Sequence, residues 1–394
     1  VQYGIYTQGA SSANKNTGTI INQNLINTSA NTRGGIWVGF ENNITISANN
    51  VSNIAQASSP DVFGITLGMG TSVSSTTSAG NEVTNATVTK NVIGSVVNSG
   101  TFSAVGIAVA SATSGTTLLA NNMISGVAAN GTSGDFAAGI ILGGGTGSTT
   151  NVYYNTVSMQ GTITGASAAT QTSACIAVTN STAPTIDLRN NIFSTPPLGN
   201  AGATLRFASI ALGYSTYATL TSNYNDLYAA GAGPGTYTVG ITGTVVAGTN
   251  SVTLANWQAT TTKDANSVSV LPVFTSATDL HLVTVSNPGL NNLGTPVSVT
   301  DDIDCTTRDA VTPDMGADEF TATYGATLAG MAGAAVCSNK TVSLSGTTYT
   351  TNNCDLIAKV LPSGGTPVSG KINTCVTLDL VQQYFNAAPY VMRH

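Results

Sequence analysis

The sequence is short of charge, histidine, cysteine and long apolar runs, and each shortage excludes something. Charged residues make up 7% of the 394, against about 25% in an ordinary globular domain. With 11 Lys+Arg and a net charge of −6 the chain has no basic patch, which excludes nucleic acid as a natural partner. No apolar stretch nears the ~20 residues of a membrane span. The histidines are His281 and His394, so residues 1–260 contain none. Five cysteines without a CxxC pair argue against a zinc or redox centre. Cys337, Cys354 and Cys375 fall close together, and one disulfide among them fits an oxidising compartment, the pair left open. No signal peptide opens the chain, and "VQYGIYTQGA" already reads as a repeat unit, so a mature or trimmed fragment is expected.

What remains is apolar residues at 41% and an abundance of Gly, Ser, Thr and Asn. That apolar share opposes disorder. Small polar residues favour turns and strand edges, so the balance points to an extended all-β protein.

Two phrases recur. Asn24, Asn91, Asn122, Asn155 and Asn191 each follow an aliphatic residue by three places: Ile21, Val88, Leu119, Val152 and Leu188. Each precedes an apolar residue by two: Ile26, Ile93, Ile124, Val157 and Phe193. Asn50 and Asn225 read as weaker members. The second phrase is a small residue before aliphatic-x-aliphatic, centred on Ile36, Ile65, Ile107, Ile140, Ile176 and Ile210, with partial copies at Ile5 and Ile241. A period in the thirties with apolar alternation inside each phrase predicts a β-solenoid, because one unit alone cannot bury its inward face. The specific expectation is a right-handed parallel β-helix of eight to nine coils over residues 1–320. Its asparagines are expected at sharp corners, where they tolerate left-handed backbone angles and stack into ladders.

After about residue 245 the phrases fade. "VSVLPVFTSATDLHLV" (268–283) and "NPGLNNLGTPVSVTDDIDCTTRDAVTPDMGADEF" (287–320) follow. Pro272, Phe274, Asp279 to Leu282, Asp302, Asp304, Arg308, Pro313, Asp314, Gly316, Ala317, Glu319 and Phe320 carry a pattern that resembles the final coils of secreted parallel β-helix proteins of Bacteroidota. One departure is Cys305, where that family usually has Gly. Residues 325–394 resemble a small β-sandwich-like module of such surface proteins, on Pro389, Tyr390, Val391, Arg393 and His394. The resemblance implies export of the type IX kind and a place outside the cell or on its surface.

Seven of the 17 acids lie within 301–319. Three readings stand for them. Asp301, Asp302 and Asp304 offer oxygen ligands for calcium, without the spacing of an EF-hand. A carboxylate pair could be catalytic. Alternatively, Arg308, Asp314 and Glu319 pair with one another in a capping segment (268–320) that closes the last coil. No cofactor other than calcium is implied.

Three functions compete. A rigid solenoid with small polar loops suits an adhesive or structural surface protein, binding cell-surface glycan or protein or associating with itself into a filament through an uncapped first coil. A polysaccharide lyase or glycoside hydrolase needs converging acid and base. Residues 1–260 hold only six acids, and Asp187 with Arg189 reads as an exposed ion pair rather than an active site. A glycan-binding face needs exposed aromatics, for which Tyr153, Tyr154, Tyr214, Tyr217, Tyr224, Tyr228 and an outward Trp37 are candidates. The sequence favours the non-enzymatic reading.

Overall fold

In the computed structural model, residues 1–322 are described except 29–30, 58–59, 69–80, 132–134, 160–171, 196–204 and 232–234. Beyond 322 the described residues form four short strands in two antiparallel pairs, Thr341–Leu344 with Thr347–Thr350 and Leu356–Ala358 with Gly370–Ile372. Cys337, Cys354, Cys375 and the phrase from Pro389 to His394 lie outside the described residues. The chain divides into two compact units, residues 1–282 with 290–320, and residues 283–289 with 321–394.

The first unit is a parallel β-solenoid with three long sheets and one short parallel pair, Asn16–Thr17 with Glu41–Asn42. The first sheet stacks Tyr3–Gln8, Gly34–Gly39, Val62–Leu67, Ala104–Val109, Phe136–Leu142, Thr172–Val178, Arg206–Leu212 and Thr236–Thr242, all parallel, and ends on antiparallel Thr249–Ser251. The second and third sheets hold seven strands each. One coil shows the plan: Ala104–Val109 in the first sheet, Gly115–Ala120 in the second, Met123–Ala129 in the third. Seven complete coils are thus present among the described residues, six steps from first to last, and an eighth begins at Thr236–Thr242.

Register follows the repeated phrases. Ile5, Ile36, Ile65, Ile107, Ile140, Ile176 and Ile210 stack as one row of the first sheet. Facing them are Ile21, Ile46, Val88, Leu119, Val152 and Leu188 of the second sheet. Ile26, Val51, Ile93, Ile124, Val157, Phe193 and Leu227 of the third close the triangle. Most of these side chains are fully buried, each contributing on the order of 2 kcal/mol by leaving water. The outward row of the first sheet is buried too, through Val105, Ala108, Ala138, Ile141, Ala174, Ala177, Ala208 and Ala211. Burial on both faces is why these strands read as near-continuous apolar runs rather than alternating ones.

The glycine before Ile5, Ile36, Ile65, Ile107 and Ile140, replaced by Cys175 and Ser209 in later coils, is a matter of space. A Cβ on Gly139 would stand 2.2 Å from Val157 Cγ1 and 2.7 Å from the Cys175 carbonyl oxygen. The third sheet therefore approaches the first too closely for a side chain there. Gly139→Ala is expected to destabilise by about 3 kcal/mol, the upper range for overpacking. Gly94→Ala, whose nearest neighbour would be Ser125 Oγ at 3.6 Å, is expected to change little. Urea midpoints of the two variants separate a packing demand from a general intolerance of alanine.

The eighth rung departs from the expected pattern. Gly240, not Ile241, aligns with Ile210. The vacated inward place is filled by Trp257, whose ring atoms would come within 2.0 Å of a Cβ on Gly240. Trp257 belongs to the helix Leu254–Thr261, which starts at a capping box between Thr253 and Asn256 and ends on left-handed Thr262. This helix closes the solenoid end. Of the segment 268–320 expected to do so, Val268 pairs with Asp226 of the last rung, while residues 290–320 run along the flank, against the corner between the second and third sheets. We call them the strap.

Candidate functional site

The corner between the second and third sheets is two residues long in every complete coil. Its first residue takes positive φ: Gln23, Ala48, Lys90, Asn121, Tyr154, Asn190 and Tyr224, at 52–60°. Its second residue is the ladder asparagine. The expectation that the asparagines themselves adopt the left-handed angle is therefore corrected by one position. The turn is made by their predecessors, and the asparagines hold it. In the second coil the ladder residue is Asn49, not Asn50. Asn50 belongs to the strand Asn50–Gln56.

Each ladder asparagine donates its backbone N–H and its Nδ2 to Oδ1 of the next. The chain runs Asn24 to Asn49 (3.0 and 2.9 Å), Asn49 to Asn91 (3.0 and 2.9 Å), Asn91 to Asn122 (3.1 and 2.9 Å) and Asn122 to Asn155 (3.2 and 2.9 Å). It continues to Asn191 (2.9 and 3.0 Å) and Asn225 (2.9 and 3.0 Å). From Asn49 onward the second Nδ2 hydrogen goes to a main-chain carbonyl of the preceding coil, such as Val88 O for Asn122 at 2.9 Å. The amide thus satisfies the asparagine N–H and a main-chain carbonyl of the neighbouring coils, while main-chain bonds such as Lys90 N to Ala120 O and Met123 N to Asn91 O satisfy the rest of the corner. At the far end Asn225 donates to Ser267 Oγ and Asp264 Oδ1. Asp264 Oδ2 also accepts from Trp257 Nε1 at 2.8 Å, so one carboxylate ends the ladder and seats the capping helix.

Because the left-handed residues carry side chains, the corners present a column of outward groups, and the strap binds that column. Lys90 Nζ donates to Asp301 Oδ2 at 2.6 Å. Asn121 Nδ2 donates to Asp301 O at 2.7 Å, and Asn121 Oδ1 accepts from Arg308 at 2.8 Å. Tyr154 lies 3.8 Å beneath the Arg308 guanidinium and donates its hydroxyl to Thr295 O. Asn190 exchanges bonds with Thr295 N and O, and its carbonyl accepts from Gly316 N at 2.7 Å. The strap thereby bonds to four successive coils, and Met315, Val297 and Ala317 add apolar contacts to Ile192, Tyr154 and Met123.

Within the strap Arg308 Nη1 donates to Glu319 Oε2 at 3.0 Å. The same oxygen accepts from Asp314 N at 3.0 Å, while the Asp314 carboxylate accepts from Asn292 N and Phe320 N. Arg308, Asp314 and Glu319 are therefore brought together, on the flank rather than at the end. The calcium trio is not. Asp301 is taken by Lys90. Asp302 accepts from Asp304 N and Thr306 N with Oδ1 and from Glu319 N with Oδ2. Asp304 alone projects outward.

Asp304 meets a second element. A turn at Ser276–Asp279 folds Phe274 and Leu282 into antiparallel contact. Alternation then buries Leu280 and Leu282 and turns Asp279 and His281 to the other side. His281 Nδ1 contacts Asp279 Oδ1, and Nε2 lies 2.9 Å from Asp304 Oδ2. Asp318, 9% exposed, accepts from Leu282 N at 2.9 Å. Burial works against a charged His281 ring, but the bond to Asp279 and the charges of Asp304, Asp318 and Asp279 outweigh it and hold its pKa above the usual value. Burial pushes the Asp318 carboxyl up.

The remaining sequence candidates are structural. Trp37 is 5% exposed and stacks on Tyr6 at 4.5 Å between centroids, so it is not an outward contact. Tyr153, Tyr154 and Tyr214 are buried, and Tyr217, Tyr224 and Tyr228 are half-buried, which leaves no exposed aromatic stripe among them. Asp187 pairs with Arg189 and accepts from the Tyr153 hydroxyl at 2.8 Å. Burial and that carboxylate push the Tyr153 hydroxyl up to about 12.

Asp226 lies in the third sheet of the seventh coil and pairs with Val268. Oδ1 accepts from Val270 N at 2.8 Å, and Oδ2 has no partner. Burial pushes its pKa well up, against a smaller pull from the Val270 amide. The folded chain therefore holds a proton that the unfolded chain loses above about pH 4. That contribution is complete at acidic pH and is lost as pH rises through the folded value. Asp314, raised to about 7 by burial, has the same sign. Asp226→Asn keeps the Oδ1 acceptor and removes the titration. Its melting temperature is expected to fall less than the parent's between about pH 4 and neutrality.

No family model matches this chain, and no curated protein or solved structure matches it either.

Proposed function

We propose that the chain serves outside the cell as a non-enzymatic structural or adhesive solenoid, of the secreted Bacteroidota type that its strap resembles. The carrying observation is where its ionic groups go. All six acids of residues 1–260 are engaged internally: Glu41 accepts from Thr7, Asn16 and Thr19, and Asp61 and Asp135 accept from Ser103. Glu82 accepts from Lys15 and Thr113, Asp187 from Arg189, and Asp226 from Val270. Lys90 and Arg206 are likewise bound, to Asp301 and to the Gly248 carbonyl. Such groups join coils and are not set to polarise a glycosidic bond, which needs two carboxyls flanking it. The residues that carry the resemblance support the same reading, since Asp302, Arg308, Asp314 and Glu319 are the groups that knit the strap. Incubation of the full chain with polyuronates and neutral glycans is expected to release no sugar, and labelling of intact source cells is expected to find it at the surface. Turnover of any glycan overturns the reading.

A further inference from the structure

We propose that His281 Nε2, with one carboxylate oxygen each from Asp304 and Asp318, binds a divalent transition-metal ion such as zinc on the solenoid flank, with Asp279 orienting the ring. The reasoning starts from which atoms can donate. Asp279 Oδ1 accepts the His281 backbone N–H at 3.2 Å and also faces Nδ1. A carboxylate oxygen only accepts, so Nδ1 carries its hydrogen. In the neutral ring Nε2 is then the lone-pair nitrogen. It nevertheless faces another acceptor, Asp304 Oδ2 at 2.9 Å.

Asp318 adds a third acceptor. It is 9% exposed, and its Oδ2 takes the Leu282 amide at 2.9 Å. One ligand atom from each of His281, Asp304 and Asp318 lies within 4.8 Å of the other two. Acceptors converge in this way around a positive centre, either a proton on Nε2 or a metal ion. The nearby cations do not supply it, since Lys90 of the corner column is held by Asp301 and Arg308 of the strap by Glu319.

The donor set favours a metal of a definite class. Ligands around a tetrahedral ion bound at about 2.0–2.2 Å stand about 3.3–3.6 Å apart, so the 2.9 Å nitrogen–oxygen edge opens by about half an ångström on binding. One imidazole nitrogen with two carboxylate oxygens suits zinc or manganese, whereas calcium takes six to eight oxygens. A carboxylate on the far nitrogen of a ligating histidine fixes the tautomer and the ring plane, which is the place of Asp279. The site differs from the calcium trio expected from sequence, of which it retains Asp304 alone. Its consequence is mechanical. The ion ties the turn at residues 276–282 to the strap at 304 and 318, and so clamps the strap. This site does not depend on the extracellular reading.

The test is calorimetric titration of the chelator-stripped full chain with zinc chloride. One zinc per chain is expected, undisplaced by a large excess of calcium. His281→Ala and Asp304→Ala are each expected to weaken uptake at least tenfold, and Asp279→Asn by roughly 10–100-fold. Asp301→Asn and His394→Ala are expected to leave it unchanged. Metal-free thermal melts establish that each variant is folded. Asp304, whose side chain is 60% exposed, carries the test if the histidine variant does not fold. Absence of uptake by the parent chain overturns the proposal and leaves an imidazolium held between aspartates. Uptake that survives Asp304→Ala, or that vanishes with His394→Ala, overturns it equally.

Discussion

Asn122→Ala is expected to lower the unfolding free energy by about 4 kcal/mol, from two orphaned donors at about 1–3 kcal/mol each and the lost bonds around them. Asn122 Oδ1 accepts both the backbone N–H and the Nδ2 of Asn91, and its own Nδ2 serves Asn155 Oδ1 and Val88 O. Alanine strands the two Asn91 donors in a corner where Asn91 is 0% exposed. Asn24→Ala is the internal control. No ladder amide donates to Asn24, whose Oδ1 ends the column on the half-exposed first coil, so its loss is expected to cost less than about 1 kcal/mol. Asn122→Asp extends the argument, because a carboxylate there sets oxygen against Asn155 Oδ1 and Val88 O. Its folded pKa would be raised, so the variant's stability is retained at low pH and lost as pH rises through that value. Urea unfolding followed by circular dichroism reads all three. Equal losses at Asn24 and Asn122 would remove the ladder as a stabilising element.

The solenoid was legible because its physics repeats. A buried aliphatic row needs the same residue type once per coil, and the spacing of Ile36, Ile65, Ile107, Ile140, Ile176 and Ile210 states the length of each coil in residues directly. The asparagines were legible as a column for the same reason. Their backbone role was not, because sequence carries no mark of which of two corner residues bears the positive φ. Gln, Ala, Lys, Asn and Tyr all occupy that place here, so no residue preference singled it out. The ladder fixes the corner strongly enough that the residue before it is free to vary, and that freedom places Lys90, Asn121, Tyr154 and Asn190 where the strap finds them.

The sequence reading put residues 268–320 over the last coil, whereas residues 290–320 bond to the flank, and the cause is physical. A polar, acid-rich segment after the last repeat suits the open edge of a solenoid. Yet the edge is closed by Trp257 and Asp264, whose signal in "TLANWQATTTKD" was a Thr253 N-cap before helix-forming residues. The acids of 301–319 were free to serve the flank. Their main-chain partners, such as the amides held by Asp302, leave no trace in residue spacing, so the loss of Asp301 and Asp302 from the expected calcium trio could not be read there. The His281 cluster joins residues 279–281 to 304 and 318, and only the folding back of the strap brings them together.

Arg308→Ala is expected to cost about 4 kcal/mol, within the range of about 3–5 kcal/mol for removing one partner of a buried ion pair. The side chain is 2% exposed, and Glu319 beside it is 11% exposed. Arg308 also donates to Asn121 Oδ1 and Gly316 O and covers the Tyr154 ring. Its removal leaves the Glu319 carboxylate without a cation and Asn121 Oδ1 without that donor. It also opens the space above Tyr154. Arg308→Lys keeps the charge but cannot reach Glu319, Asn121 and Gly316 at once, because an ammonium is a point donor where the guanidinium is a fork. It is expected to recover less than half of the loss. Arg308→Met paired with Glu319→Gln removes the charge from both sides and is expected to be milder than Arg308→Ala, since the desolvated carboxylate is the main cost. The location of the damage separates this effect from loss of the solenoid. Amide exchange is expected to quicken first in residues 290–320, while the ladder amides of Asn91, Asn122 and Asn155 stay protected. Simultaneous loss of protection at both would mean that strap and coils unfold as one body, and that Arg308 holds the solenoid itself.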